Sequence, residues 1–194
     1  MQQSGGLLPP PAGWRRTILF AKGEKAMIPV RVTYLFAFPY HYHQGEHPMI
    51  SLRPVRNNDK SILKDTSYAE MTAEATEKML ADALAKSHAG KYFELFAVMD
   101  DKACVGFVSL YETAPGEISC GPEIKPQHRR RGYGYLAVRI ALERANLMGY
   151  TKAIAQIRQD NTASIALHQK LGFAQCRSFL NRHDHSVFEF QKPL

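Results

Sequence analysis

Arg129, Arg130 and Arg131 stand directly before Gly132, Tyr133 and Gly134, and this packing of positive charge against glycine suits the binding of an anion. Main-chain N–H groups at a helix start, with the helix dipole behind them, favour negative charge. Glycines without a Cβ let oxygens approach the backbone, and arginines add charge-assisted bonds. A lone basic run is ordinarily a solvated turn. Here each arginine at a helix N-terminus opposes the dipole at a cost of about 0.3 to 1 kcal/mol, so three together predict a compensating anion. The run lacks the GK[ST] ending of a nucleoside-triphosphate loop. Gly132 to Ala137, GYGYLA, satisfies the GxGxxA dinucleotide fingerprint, but its context does not. A basic, proline-containing loop separates it from the preceding strand, no acidic residue closes the next strand, and too little chain follows for a doubly wound sheet.

For this turn to work, a strand must lead into it and a helix must leave it. Glu117 to Lys125 reads as the strand, after the Pro115-Gly116 turn. The apolar stripe of Leu136, Ala137, Ile140, Ala141, Ala145 and Met148 reads as the helix, ending at Gly149. TKAIAQI then reads as a buried strand, and the βαβ order forces the two strands parallel. A second helix over Thr162 to Leu171 is capped by Asn161 in front and Gly172 behind. FAQCRSFL and SVFEFQ close the domain as a strand pair. Upstream, ISLRPV predicts a first strand and YFELFAVMD with ACVGFVSLYE a hairpin. Asn57 to Ser87, with Met71, Ala75, Met79 and Ala83 at four-residue spacing, predicts one or two amphipathic helices. The fold class is α/β, an α+β mixed sheet flanked by helices.

The 194 residues, 45% hydrophobic, are enough for one compact domain. The domain proper is expected over residues 49–194. Residues 1–48, rich in breakers, read as an N-terminal extension outside the core, with Met49 an alternative initiator. A formal charge of +7 and a pI near 9.4 favour anionic partners without choosing among them. Cys104, Cys120 and Cys176 are far apart and lack metal or disulfide spacing, which suits a reducing, cytoplasmic setting. The most apolar run, MIPVRVTYLFAF, is too short to span a bilayer, and no signal-peptide pattern is present, so no membrane partner is expected.

HYHQGEH at His41 to His47 and HDH at His183 to His185 lack a spaced set of further ligands, so no metal site is expected. Cys120 has no paired base near it in sequence and reads as structural. Tyr133, Tyr135 and Phe173 read as core or ligand-wall aromatics rather than a base-stacking platform. No helix-turn-helix or other reading element accompanies the basic charge, so no nucleic-acid partner is expected.

Arg129-x-x-Gly132-x-Gly134 resembles the Q/R-x-x-G-x-G/A signature of the GNAT-type N-acetyltransferases. NTASIALHQKLGF, Asn161 to Phe173, resembles that superfamily's second motif, and the two occur in the family's order. The resemblance covers about Met49 to Leu194. It implies a mixed sheet whose strands ending near Lys125 and Ile157 splay apart around the pantetheine arm of acetyl-CoA. Main-chain groups at Ile124 and Lys125 would pair with that arm, and an N–H near Ile124 would stabilise the oxyanion. The turn Arg129, Arg130, Arg131, Gly132, Tyr133, Gly134 and Tyr135 would hold the pyrophosphate, with Asn161 and Ser164 near the coenzyme.

An amine acceptor must lose a proton before it attacks a thioester, and the leaving thiolate must gain one. The resemblance implies a glutamate from the strand before the turn as base, and Glu117 and Glu123 share a strand face at even spacing. Relatives that use the following strand carry a glutamate where this chain has Gln156, which cannot take a proton. His168 would protonate the thiolate or orient the coenzyme. The LHQKLGF form is closest to small-molecule acetyltransferases of the phosphinothricin-resistance type. The implied function is direct transfer of acetyl from acetyl-CoA, as co-substrate, to a primary amine of a small-molecule or amino-acid-like acceptor. The alternatives are a non-catalytic acyl-CoA-binding module and an acetyltransferase acting on a protein amine. A homodimer stays open, since nothing in the sequence sets the oligomeric state.

Overall fold

Alternating β-branched and aromatic runs build one large sheet, and its register decides where the site lies. A computed structural model describes residues 50–63, 65–181 and 183–194. The expected extension over 1–48, the Met49 initiator and the histidines of 41–47 lie outside the described residues. The strands are β1 (Ile50–Pro54), β2 (Ser87–His88), β3 (Lys91–Asp100), β4 (Ala103–Ala114), β5 (Glu117–Ile124), β6 (Lys152–Arg158), β7 (Ala174–Leu180) and β8 (Ser186–Pro193). The helices are α1 (Ala73–Ala85), α2 (Tyr133–Leu147) and α3 (Thr162–Lys170). The order across the sheet is β1-β3-β4-β5-β6-β8-β7, with short β2 paired to β3. Every pairing is antiparallel except β5 with β6, joined by the α2 crossover as a βαβ unit requires.

The two faces are filled differently. Ile118, Cys120, Ala153, Ala155 and Phe190 point to the face that α2 covers with Leu136, Ala137, Ala141 and Ala145. The other face packs Leu95, Ala97 and Phe107 against Leu63, Leu80 and Ala83. The expected helical region upstream resolves into two 3-10 helices, Asn57–Leu63 and Ser67–Glu70, before α1. The interruption has a local cause: Thr66 and Thr72 spend their side chains on Tyr68 N–H (3.3 Å) and Ala75 N–H (3.1 Å), so the chain restarts twice.

The boundaries of α2 and α3 follow the punctuation in the sequence. Gly132 precedes α2 at φ 83° and Gly149 follows it at φ 93°, a left-handed backbone that glycine adopts without strain. Asn161 accepts from Ser164 N–H at 3.1 Å to open α3, and Gly172 at φ 84° releases the chain after it. One arrangement lies beyond periodicity: β8 inserts between β6 and β7, which places Glu189 beside Gln156.

Candidate active site

The β5–β6 ladder runs only from Glu117↔Lys152 to Ser119↔Ile154. Beyond it the strands share no register, and β5 itself supplies a reason. Lys125 N–H donates to the Val105 carbonyl (3.0 Å) across the β4–β5 pair. By the alternation of antiparallel bonding, the odd positions of β5 turn to β4 and the even ones, Cys120, Pro122 and Ile124, turn to β6. Pro122 has no N–H, so the ladder cannot continue through it. An opening therefore runs from a vertex at Ser119 and Ile154 up to the arginine-glycine turn.

At the top of the opening the main chain presents donors. Arg130 (φ 62°) and Gly132 (φ 83°) are both left-handed around Arg131, an alternation that turns successive N–H groups to one side. Gly132 caps α2 with no side-chain bond, so the N–H groups of the first turn are left for a ligand. Arg130 and Arg131 are exposed. Arg129 turns back instead: its Nε donates to the Ile124 carbonyl (2.8 Å) and its Nη2 lies 3.5 Å from Glu123 Oε1. The ring of Tyr133 is buried, its hydroxyl donating to Asp100, so only its main chain faces the turn. Tyr135 is half-buried beneath Lys170, whose Nζ is 5.1 Å from the ring centre.

Of the two residues expected to meet the pantetheine arm, Ile124 directs its N–H into the opening. Lys125 has both main-chain groups engaged, its N–H with Val105 and its carbonyl with His128 N–H (2.9 Å). Its side chain is buried, 3.6 Å from Asp65.

His168 closes the vertex from the α3 side. It is 2% exposed, with Nδ1 2.8 Å from the Ser164 carbonyl and its ring 5.1 Å from that of Phe173. Its Nε2 has no hydrogen-bond partner. Burial holds the imidazole below its usual pKa, against the pull of the Ser164 and Cys120 carbonyls. The Cys120 carbonyl stands near enough to favour the charged ring without completing a bond to Nε2. The Cys120 thiol is pushed by burial up to about 12, far from a reactive thiolate. Ser164 Oγ lies 3.4 Å from His168 Nδ1, and Asn161 acts as the α3 cap.

Below the vertex, on the face opposite α2, the sheet carries a groove of about 510 Å³ whose walls include Glu117, Lys152, Gln156, Arg177 and Glu189. Glu117 is paired to Lys152 and accepts from Thr113 Oγ1 (2.6 Å), which together hold its carboxyl below the usual range. Glu123 is six residues along the same strand, a separation of about 20 Å at a rise of about 3.3 Å per residue. The two glutamates therefore lie far apart, Glu117 on the closed β5–β6 ladder and Glu123 beside the arginine-glycine turn. Glu189 carries no motif in sequence and becomes visible only through the β6–β8 register. It is 4% exposed, bonded to Arg177 (2.7 Å) and Gln191 (3.1 Å), and its carboxyl is lowered chiefly by Arg177.

Among the described residues no group of three or more His, Cys, Asp and Glu side chains is placed to hold a metal. Among them also, no helix is long and apolar enough to cross a membrane.

The acetyltransferase (GNAT) domain family matches residues 50–174. None of the curated proteins compared with the chain matches it. Among solved structures, a spermidine N-acetyltransferase chimera of Vibrio cholerae SpeG and hSSAT superposes with a TM-score of 0.63 at 17% identity, covering 74% of this chain and 95% of that one. Ribosomal-protein-alanine N-acetyltransferase from Brucella melitensis gives 0.61 at 20% identity, covering 74% and 99%. The yncA protein of Salmonella typhimurium, solved with its cofactor acetyl-CoA, gives 0.61 at 19% identity, covering 75% and 94%. At these identities the likeness speaks for the fold alone.

Proposed function

We propose this chain's reaction from one premise: it belongs to the acetyltransferase (GNAT) domain family and is an acetyl-CoA-dependent N-acetyltransferase. Its acceptor is a primary amine on a small-molecule or amino-acid-like compound, and the amine attacks the thioester directly. The observation that carries this reading is the interrupted β5–β6 ladder, which joins an uncapped helix start at one end to a buried imidazole with an unbonded Nε2 at the other.

The residues fit the coenzyme. Free N–H groups at Gly132, Tyr133, Gly134 and Tyr135 suit a pyrophosphate, with Arg130 and Arg131 adding charge. Ile124 N–H, about 17 Å up the strand from Ser119, serves the pantetheine arm better than an oxyanion at the vertex. Asn161 and Ser164 hold the α3 start and the His168 tautomer beside it. Acetyl-CoA supplies the activated acyl carbon; the chain supplies position and proton transfer.

A carbonyl only accepts, so Nδ1 of His168 donates to Ser164 and the neutral ring keeps its lone pair on Nε2. The bound ammonium first releases one proton to solvent through the open groove. As the free amine nitrogen then bonds to the acyl carbon and the carbon–sulfur bond breaks, Nε2 takes the second proton from that nitrogen and passes it to the departing sulfur. Glu117, ionised and held low, acts as counter-ion that draws the ammonium to the vertex. Glu123 stays with Arg129 at the turn.

The likeness of LHQKLGF to the phosphinothricin-resistance type supports a small acceptor over a protein amine. The catalytic domain begins at about residue 49, and the scattered cysteines support a cytoplasmic setting. Thiol release from acetyl-CoA across an amine panel tests the reading. Release that depends on the amine is expected, whereas saturable acetyl-CoA binding without release from any amine would establish a binding module instead.

A further inference from the structure

The groove below the vertex has a layered charge. Its floor is acidic and sheltered: the side chains of Glu189 and Glu117 are 5% and 18% exposed. Its rim is cationic and open: those of Arg177 and Lys152 are 64% and 42% exposed. Register places all four on one sheet face, Glu117 opposite Lys152, Gln156 opposite Glu189, and Glu189 opposite Arg177. Gln156 lies just past the last β5–β6 rung, so the groove meets the opening where the thioester would be attacked.

Two carboxylates against two cations leave this set of side chains with no net charge. An ammonium entering it is drawn to the floor, and an anionic group on the same molecule meets Arg177 and Lys152 at the mouth. A polyamine gains from the floor but must bring its distal ammonium past the same two cations, which repel it.

We infer that the groove selects an acceptor with a carboxylate close to its amine, an amino acid or similar zwitterion, through Glu117 and Glu189 on the floor and Arg177 and Lys152 on the rim. This rests on the reading of the site as an amine acetyltransferase. Arg177 is the specificity-determining residue, because its planar fork can hold Glu189 and a ligand carboxylate together. A spermidine-like acceptor, the substrate named for one of the structural neighbours, is disfavoured by the same arrangement.

The test pairs the standard amino acids with their decarboxylated amines and adds spermidine, using the full chain. At saturating acetyl-CoA, the best amino acid is expected to exceed its own amine at least tenfold in kcat/KM, chiefly through KM. Arg177→Gln shifts that ratio at least tenfold toward the amines, and Arg177→Lys restores part of it. Equal or better use of the amines or spermidine, or a ratio that Arg177→Gln leaves unmoved, overturns the proposal. Isothermal titration of the same compounds into the protein loaded with CoA, which cannot react, separates the two readings. Saturable amino-acid binding without turnover sinks the transferase reading and keeps the groove. Absence of binding and turnover sinks the groove assignment as well.

Discussion

His168 holds its Nδ1 2.8 Å from the carbonyl oxygen of Ser164, one turn earlier on α3, and this contact decides which ring nitrogen can do chemistry. With the proton fixed on Nδ1, the lone pair of the neutral ring sits on Nε2, in the buried vertex between β5 and β6.

His168→Asn is expected to lower kcat about a hundredfold, within the usual range for a lost general base, while the Kd for acetyl-CoA changes little. Steady-state kinetics alongside titration calorimetry separates the two. The pH dependence has a definite sign. The ring is depressed from its ordinary 6.5, so it stays neutral in the folded protein to lower pH than in the unfolded chain. Between those two values the unfolded state binds more protons, and stability falls as pH falls below about 6.5. Activity falls with the acceptor's own protonation, and a further limb, below pH 6.5, sets in as the folded ring itself becomes charged. In His168→Asn that limb of both profiles disappears.

Gly134 offers an uncommon separation of fold from function. A Cβ there meets only ordinary contacts, 3.5 Å from Leu167 Cδ2 and 3.6 Å from Ile124 Cγ1. Gly134→Ala is therefore expected to raise stability, by up to about 1 kcal/mol from helix propensity. A pyrophosphate pressed against the main chain has no such room, so acetyl-CoA affinity should fall about tenfold, or ~1.4 kcal/mol. Denaturant unfolding and calorimetry should move in opposite directions. Gly132→Ala, at φ 83°, should lose both.

Glu117 and Glu123 should part company in kinetics. Glu117→Gln is expected to lower kcat/KM about tenfold or more by removing the counter-ion at the vertex, and Glu123→Gln to leave it within about threefold. The carboxyls of Glu117 and Glu189 are both held below their ordinary value of 4.5 by basic partners. Their stabilisation is present above that pH and is lost as pH falls through the folded values. Acid unfolding of the Glu117→Gln variant should start from a lower plateau and fall less steeply.

The clamp between β3 and α2 predicts a purely structural loss. Glu94, 1% exposed, receives Arg144 Nε (2.9 Å) and Nη2 (2.8 Å) as well as the Tyr92 hydroxyl. Arg144→Met leaves that carboxylate buried without its main partner, at a cost of about 3 to 5 kcal/mol. Scanning calorimetry should show Tm falling by about 10 °C, with Glu94→Gln in the same chain recovering part of it.

Local signals made the upper half of the site legible. Gly132, Gly149, Asn161 and Gly172 each mark a helix end because their backbone or capping preference is a property of one residue. The RRRGYG turn and its flanking strand and helix follow from the same local chemistry. The lower half was legible only in part: Glu117 and Gln156 stand out in sequence, but Glu189 reaches Gln156 only because β8 enters the sheet between β6 and β7. Nothing in the period of SVFEFQ tells which neighbour that strand will choose. Arg129 illustrates a second limit: the motif names the residue, but its bond to the Ile124 carbonyl depends on where β5 stops. The helical region after β1 broke into 3-10 turns because threonine side chains competed for backbone N–H groups that apolar spacing does not register.

One absent hydrogen governs how this protein waits. With Pro122 in β5, the sheet cannot zip shut along that edge, so a slot stands ready at rest rather than being prised apart by the arriving coenzyme. Loading is then a docking step with no unzipping before it, and the encounter rate should follow diffusion and charge rather than any opening of strands.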